Sequence, residues 1–263
     1  MKYIRLIGLF IRAAVQAELA YRANFWINLL TSALTLVTAV VGLRVLFGQV
    51  QAIRGWDFAA TLALLGVYLV ISALRQVCLG PSLESLAGMD GELWTGRFDF
   101  TLLRPVDVQF LASFRAWRPF ALVDLGLGLA VLVWAVVQAG GALTLPRVGV
   151  FFLALAAGVI LIYALLLAFS ALVFWAPGFL FTWVFDALIQ LARYPVGIYP
   201  NGLRWLLTWL VPVGLITTLP AEALTGRASL PVVLGGLAFA LAVLAAASAL
   251  FRGGVRRYAS ASS

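Results

Sequence analysis

Long uncharged runs alternate with short polar stretches along this chain of 263 residues. A hydrocarbon layer about 30 Å thick is crossed by roughly 20 apolar residues of helix, so the intervals between charges mark the candidate crossings. Arg22 to Arg44 encloses 21 uncharged residues, Asp57 to Arg75 17, Asp124 to Arg147 22 and Arg227 to Arg252 24. Arg147 to Asp186 encloses 38, too many for one crossing. Within it stands Trp175-Ala176-Pro177-Gly178, and proline with glycine is the strongest local breaker. The pattern therefore predicts a helix over 148–174, a tight turn, and a second helix over 178–191 that carries Asp186 into the membrane.

The run from Arg204 to Glu222 is interrupted by Pro212 and Pro220 and preceded by Pro195 and Pro200. The bias of Lys and Arg toward the cytoplasmic side arbitrates between a crossing and a dip. If the run dips in and returns, the chain has six spans, and 12 of its 18 Lys and Arg lie on the side of the N-terminus. A seventh crossing would split them 9 to 9. The expected fold is therefore all-α and integral to the membrane: six transmembrane helices, with a re-entrant segment over 193–227 before the last.

At roughly 100° per residue, Lys2, Arg5, Arg12 and Gln16 fall within about 80° of one another. Most other positions before Arg22 are apolar. Residues 1–22 thus read as an amphipathic helix lying along the cytoplasmic interface, the alternative being a snorkelling extension of the first span. The basic residues are spread along this stretch rather than placed before an apolar run, so no cleavable signal peptide is expected.

The one long polar stretch runs over 80–107. Its acids and bases are interleaved with Leu93, Trp94, Phe98, Phe100, Leu102 and Leu103. A solvated loop would not carry these; they need a surface to lie against. That surface is either the chain's own helix ends or a soluble partner. Pro105 marks a break before the third span. On the opposite side, 193–205 is dense in Tyr, Trp and Pro, as in an interfacial aromatic belt with a rigid corner.

Asp124 and Asp186 are the acids inside apolar runs, and burying either charge in hydrocarbon is costly. Asp124 is within two helical turns of Arg115 and Arg118 and is expected to pair with one of them. Asp186 is more isolated. A translocation or proton site and a buried pair with an arginine are both open for each, and the pair is favoured because one acid per helix does not make a relay.

Composition sharpens this picture. Apolar residues make up 64% of the chain and charged ones 11%, with a mean hydropathy of +1.07, which excludes an ordinary soluble domain. With no histidine and one cysteine, Cys78, neither Ser-His-Asp nor Cys-His catalysis nor a thiolate metal cluster is expected. The net charge of +8 is read as the orientation bias of the loops, not as a nucleic-acid surface. No P-loop, Gly-x-Ser-x-Gly or His-Glu-x-x-His motif occurs, nor any repeat of 20–50 residues. No cofactor or metal is expected on this chain.

Two stretches resemble the membrane-spanning subunit of ABC-2 type transporters, in the branch of bacterial six-span permeases of about 260 residues long classed as a domain of unknown function. Gly96-Arg97-Phe98-Asp99-Phe100-Thr101-Leu102-Leu103-Arg104-Pro105 is similar to that family's Gly-x-Leu-Asp-x-x-Leu-Leu-Arg-Pro, with Phe98 in place of Leu. Arg193-Tyr194-Pro195, Tyr199-Pro200, Val211-Pro212 and Leu219-Pro220-Ala221 are similar to its proline-rich run before the last span, and Arg204 lies within the same re-entrant element. The resemblance implies a single transmembrane domain over 1–263, in a bacterial cytoplasmic membrane with both termini inside. It also implies a short coupling helix after the second span that seats in a separate P-loop ATPase, present in two copies with ATP and Mg on those subunits. Leu83, Glu84, Leu86, Leu93, Trp94, Gly96, Arg97, Asp99, Leu102, Arg104 and Pro105 would carry that contact. A second permease chain, identical or homologous, would complete the route for an amphipathic, drug-like or lipid-like substrate. The rival reading is a secondary transporter or channel independent of any ATPase. It would call for paired broken helices in two halves, and only one proline-broken element is evident.

Overall fold

The computed structural model describes residues 2–87, 91–140, 144–176 and 181–258, and among them every regular element is helical. They are α1 (Lys2–Ala20), α2 (Arg22–Gln49), α3 (Phe58–Ala87), α4 (Phe98–Leu102), α5 (Val108–Phe114), α6 (Pro119–Ala139), α7 (Leu145–Phe174), α8 (Phe181–Gln190), α9 (Asn201–Leu210), α10 (Gly214–Thr225) and α11 (Leu230–Arg257). Five of these, α2, α3, α6, α7 and α11, are long and apolar enough to cross a membrane. The α9–α10 pair is bent by 74° at Val211–Val213 and would make a sixth only if counted as one broken span.

Residues 178–180 of the helix expected over 178–191 lie outside the described residues, and its C-terminal limit falls where the sequence places it. Its described part is ten residues, continued by one 3-10 turn to Arg193, about 15 Å of α-helix against a 30 Å core. Pro195 stops it. The residue before a proline is pushed out of the helical region, and Tyr194 is extended (φ −123°, ψ 150°). The turn expected at 175–178 lies partly outside the described residues, as do 88–90 of the polar stretch.

Gly80-Pro81 does not open a loop. The helix continues to Ala87, through a π-turn at Arg75–Leu79. Pro81 has no N–H, so the carbonyl of Val77 four residues earlier loses its helical donor. The N–H of Arg118 takes that place at 3.0 Å. The polar stretch outside the helix therefore begins after Ala87, not at Gly80.

The core lies between α3 and α7, which carry most of the fully buried residues, with α6, α10 and α11 packed around them. Gly158 of α7 lets α10 approach: a Cβ there would lie 2.6 Å from the carbonyl oxygen of Ile216. By contrast α2 stands apart, with 6% of its most apolar stretch buried against 67% for α3.

Side-chain contacts sort the segments into two ends. At one end Tyr3 meets Phe110 (4.7 Å between centroids), and Glu18 accepts from the N–H of Phe120 at 2.7 Å. Phe98 is fully buried there, against Phe174 (5.7 Å) and Tyr258 (5.2 Å). At the other end, the 50–57 loop receives both limits of the proline-rich run. Arg54 donates to the carbonyl of Gly197, and Arg227 donates to that of Gly55 at 2.9 Å and lies 3.8 Å from Asp57. Between these two anchors the chain reaches Ile216, which touches Gly158 of α7 and packs near Ile71, about 20 Å along α3 from Phe58.

Candidate functional site

The polar end of the bundle is built on partly buried ion pairs. Arg75, 17 residues into α3, places Nη2 2.7 Å from Glu84 Oε1 on the same helix and 2.6 Å from Asp186 Oδ1 on α8. The Asp186 contact is an ion contact without hydrogen-bond alignment. Arg118 reaches the other Glu84 oxygen at 3.6 Å. Glu92 pairs with Arg115 and accepts from the Thr101 hydroxyl at 3.1 Å, while Arg115 Nη1 donates to that hydroxyl at 3.2 Å. Burial holds the Arg115 guanidinium below its ordinary value by desolvation. The Ser82 hydroxyl accepts from the N–H of Ala116 at 2.6 Å, and the N–H of Phe98 donates to the carbonyl of Glu92 at 3.1 Å. The 91–118 segment is thus tied to α3, α7 and α11 by side chains, not draped loosely over them.

Two groups emerge within the apolar residues of this segment. Leu83 and Leu86 are buried in the chain's own core and Leu93 packs against it. Proposed from sequence as partner-facing, Leu83 and Leu86 have no surface to offer in this conformation. Trp94, Phe100, Leu102 and Leu103 face outward, Leu103 at 81% exposure, with Arg97, Arg104 and Pro105 also exposed beside them. Gly96 has φ +68°, a left-handed turn that suits glycine, and it leads the chain into α4, whose first turn holds half-buried Asp99. Of the two surfaces left open by the sequence, the chain's own helix ends take the first group, and the second group is exposed.

Asp124 pairs with neither Arg115 nor Arg118, whose carboxylate partners are Glu92 and Glu84. It lies in the first helical turn of α6, where the helix dipole favours an acid. Near it Glu18, on α1, satisfies the N-terminal N–H of Phe120. Desolvation raises the Glu18 carboxyl above its usual range, more than the Phe120 N–H and Arg118 lower it.

In the proline-rich run, Arg193 stacks over the ring of Tyr68 at 5.2 Å. The Tyr199 hydroxyl donates to the Leu191 carbonyl at 2.9 Å. Pro200 immediately precedes α9, Arg204 and Tyr194 are exposed, and Pro195, Pro212 and Pro220 are buried. Sequence reasoning missed what faces Arg193. Thr31, Thr35 and Thr38 share one side of α2, a spacing readable as i, i+4, i+7. Their hydroxyls donate to the carbonyls of Ile27, Thr31 and Leu34 at 2.8–2.9 Å. Beside them is a cavity of about 710 Å³, which Arg193 also lines. Two smaller cavities of about 230 and 400 Å³ adjoin it through shared residues and reach Gln76, Asp124 and Glu18. Among the described residues, no group of three or more His, Cys, Asp or Glu is arranged to hold a metal ion.

A family model described as an ABC-2 family transporter protein matches residues 33–262. No curated protein and no solved structure matches the chain.

Proposed function

The chain belongs to the ABC-2 transporter family, a family of membrane transport subunits that are not themselves the ATPase, and from that premise we propose that it is the permease of an ATP-driven exporter. A separate P-loop ATPase, in two copies, supplies the energy. A second permease chain, identical or homologous, completes a route for an amphipathic or lipid-like substrate. The polar end faces the cytoplasm of a bacterial cell, with α1 along that interface. The stretch over 193–227 dips into the membrane from the outer side and returns, and the sixth crossing is made by the shorter stretch around α8.

The observation that carries this reading is the outward set Trp94, Phe100, Leu102 and Leu103 on a charged segment that is pinned to several span ends. Exposed large apolar side chains beside charges mark a protein contact. A push on this segment passes through Phe98 to α7 and α11, and through Ser82 and Arg118 to α3. Packed helices shift as rigid bodies under such a load.

The test is co-purification of the chain with an ATPase encoded beside it, followed by Leu103→Asp. Leu103 is exposed, so folding and membrane insertion are expected to survive. Substrate-stimulated ATP hydrolysis should fall about tenfold or more, as for loss of a buried interface anchor. Transport that persists in vesicles without any nucleotidase would sink the reading in favour of a secondary transporter.

A further inference from the structure

We infer that Arg193 is the head-group anchor of a binding site for an anionic amphiphile, held between α2 and α3 in the cavity of about 710 Å³. This rests on the transport reading and names the chemical class of the substrate.

Among the described residues, Arg193 is a charge without a counter-ion: no carboxylate pairs with it, its Nε is buried with no hydrogen-bond partner, and its one specific contact is the face of Tyr68. Tyr68 is ten residues beyond Phe58, so the guanidinium is about 15 Å along the helix axis, half the thickness of the hydrocarbon. A guanidinium at that depth without an anion is costly. The other deep arginine of the same region, Arg75, has two carboxylates within 2.7 Å. What distinguishes Arg193 is that it opens onto space, lining both the large cavity and its neighbour.

The walls define the rest of the ligand. Leu34, Leu43, Leu46 and Leu65 offer an apolar bed for a tail. The threonine hydroxyls already donate to their own helix, so toward the cavity they accept. They suit a head group that carries hydroxyl or amide donors next to its negative charge. The volume lies in the range of pockets that enclose one drug-sized molecule. Because α2 is scarcely buried against the rest of the chain, it can give way to admit a ligand from the bilayer.

The experiment uses the full-length chain in neutral detergent micelles, with oleate as the probe, read as one-to-one adducts in native mass spectrometry. Oleyl alcohol has a comparable tail without the charge, and inorganic phosphate is a charge without the tail. Saturable binding of oleate is expected, with oleyl alcohol bound about tenfold or more weakly, as for loss of a charge-assisted hydrogen bond. Arg193→Gln should lose the same factor and Arg193→Lys should recover most of it. Thr35→Trp, which obstructs the cavity between α2 and α3 and leaves the arginine in place, should also weaken oleate binding, and it keeps the test decisive if Arg193→Gln fails to fold. Equal binding of oleate and oleyl alcohol, or oleate binding indifferent to both Arg193→Gln and Thr35→Trp, would overturn the proposal. Displacement of oleate by phosphate alone would overturn the amphiphile and leave a simple anion site. Failure of ATP-driven transport with oleate binding intact would count against the exporter and not against this site.

Discussion

Arg75 is the residue on which the polar end turns. It sits between Glu84 and Asp186, so its removal brings two carboxylates face to face with no cation between them. Breaking a fully buried pair from one side costs about 3 kcal/mol; Glu84 and Asp186 are partly exposed, so Arg75→Leu is expected to cost about 1–2 kcal/mol and to lower the thermal midpoint of the detergent-solubilised protein accordingly. Asp186 is half exposed, so Asp186→Asn should cost less than about 1 kcal/mol. Equal losses from the two variants would show that α8, and not Arg75, holds the cluster. Sequence alone identified Asp186 as an acid in an apolar run that favours an arginine partner, but it could not name Arg75. The two are 111 positions apart, and only the packing of α8 on α3 brings them together. Asp124 went the other way: its neighbours in sequence are arginines, yet those arginines are satisfied by acids on other elements.

At the level of elements, the long apolar helices were legible because their length is imposed by the bilayer. What hid from the sequence was the effect of individual prolines. Pro81 reads as a breaker, yet the helix continues, because Arg118 supplies the missing donor to Val77. Pro195, by contrast, does act as a stop: Tyr194 before it is extended, and α8 with its 3-10 turn ends at Arg193. The same holds for the 80–107 stretch. Its apolar residues were recognised as needing a surface, but which of them turn inward depends on the helical phase of α3, and Leu83 and Leu86 fall on its buried side. The α9–α10 bend is held by a contact no sequence pattern announces, the carbonyl of Ile216 against Gly158. Gly158→Ala should push α10 off α7 and cost about 1–3 kcal/mol, as for an overpacked core. Gly149→Ala on the same helix, where a Cβ meets nothing within 4 Å, should be neutral or slightly stabilising. Chemical or thermal unfolding in detergent separates the two.

For the molecule as a whole, the charge bias of the sequence and the side-chain contacts divide the segments in the same way. Thr95 belongs to one end and Gln51 to the other. With Cys78 replaced by serine, Thr95→Cys in intact cells should resist a membrane-impermeant maleimide and Gln51→Cys should react; the reverse pattern would invert the assigned orientation. The family was legible in two motifs, and the match over 33–262 agrees with them. The Arg193 cavity was not, because its walls come from α2, α3 and the corner after α8, and a single sequence does not show such a meeting. One detail of the far end has a mechanical corollary. Arg54 and Gly55 sit side by side in the chain, and each grips a different limit of the proline-rich run. That pair works as a clasp: an antibody fragment seated on it would restrain both limits of the run together without touching the long apolar helices.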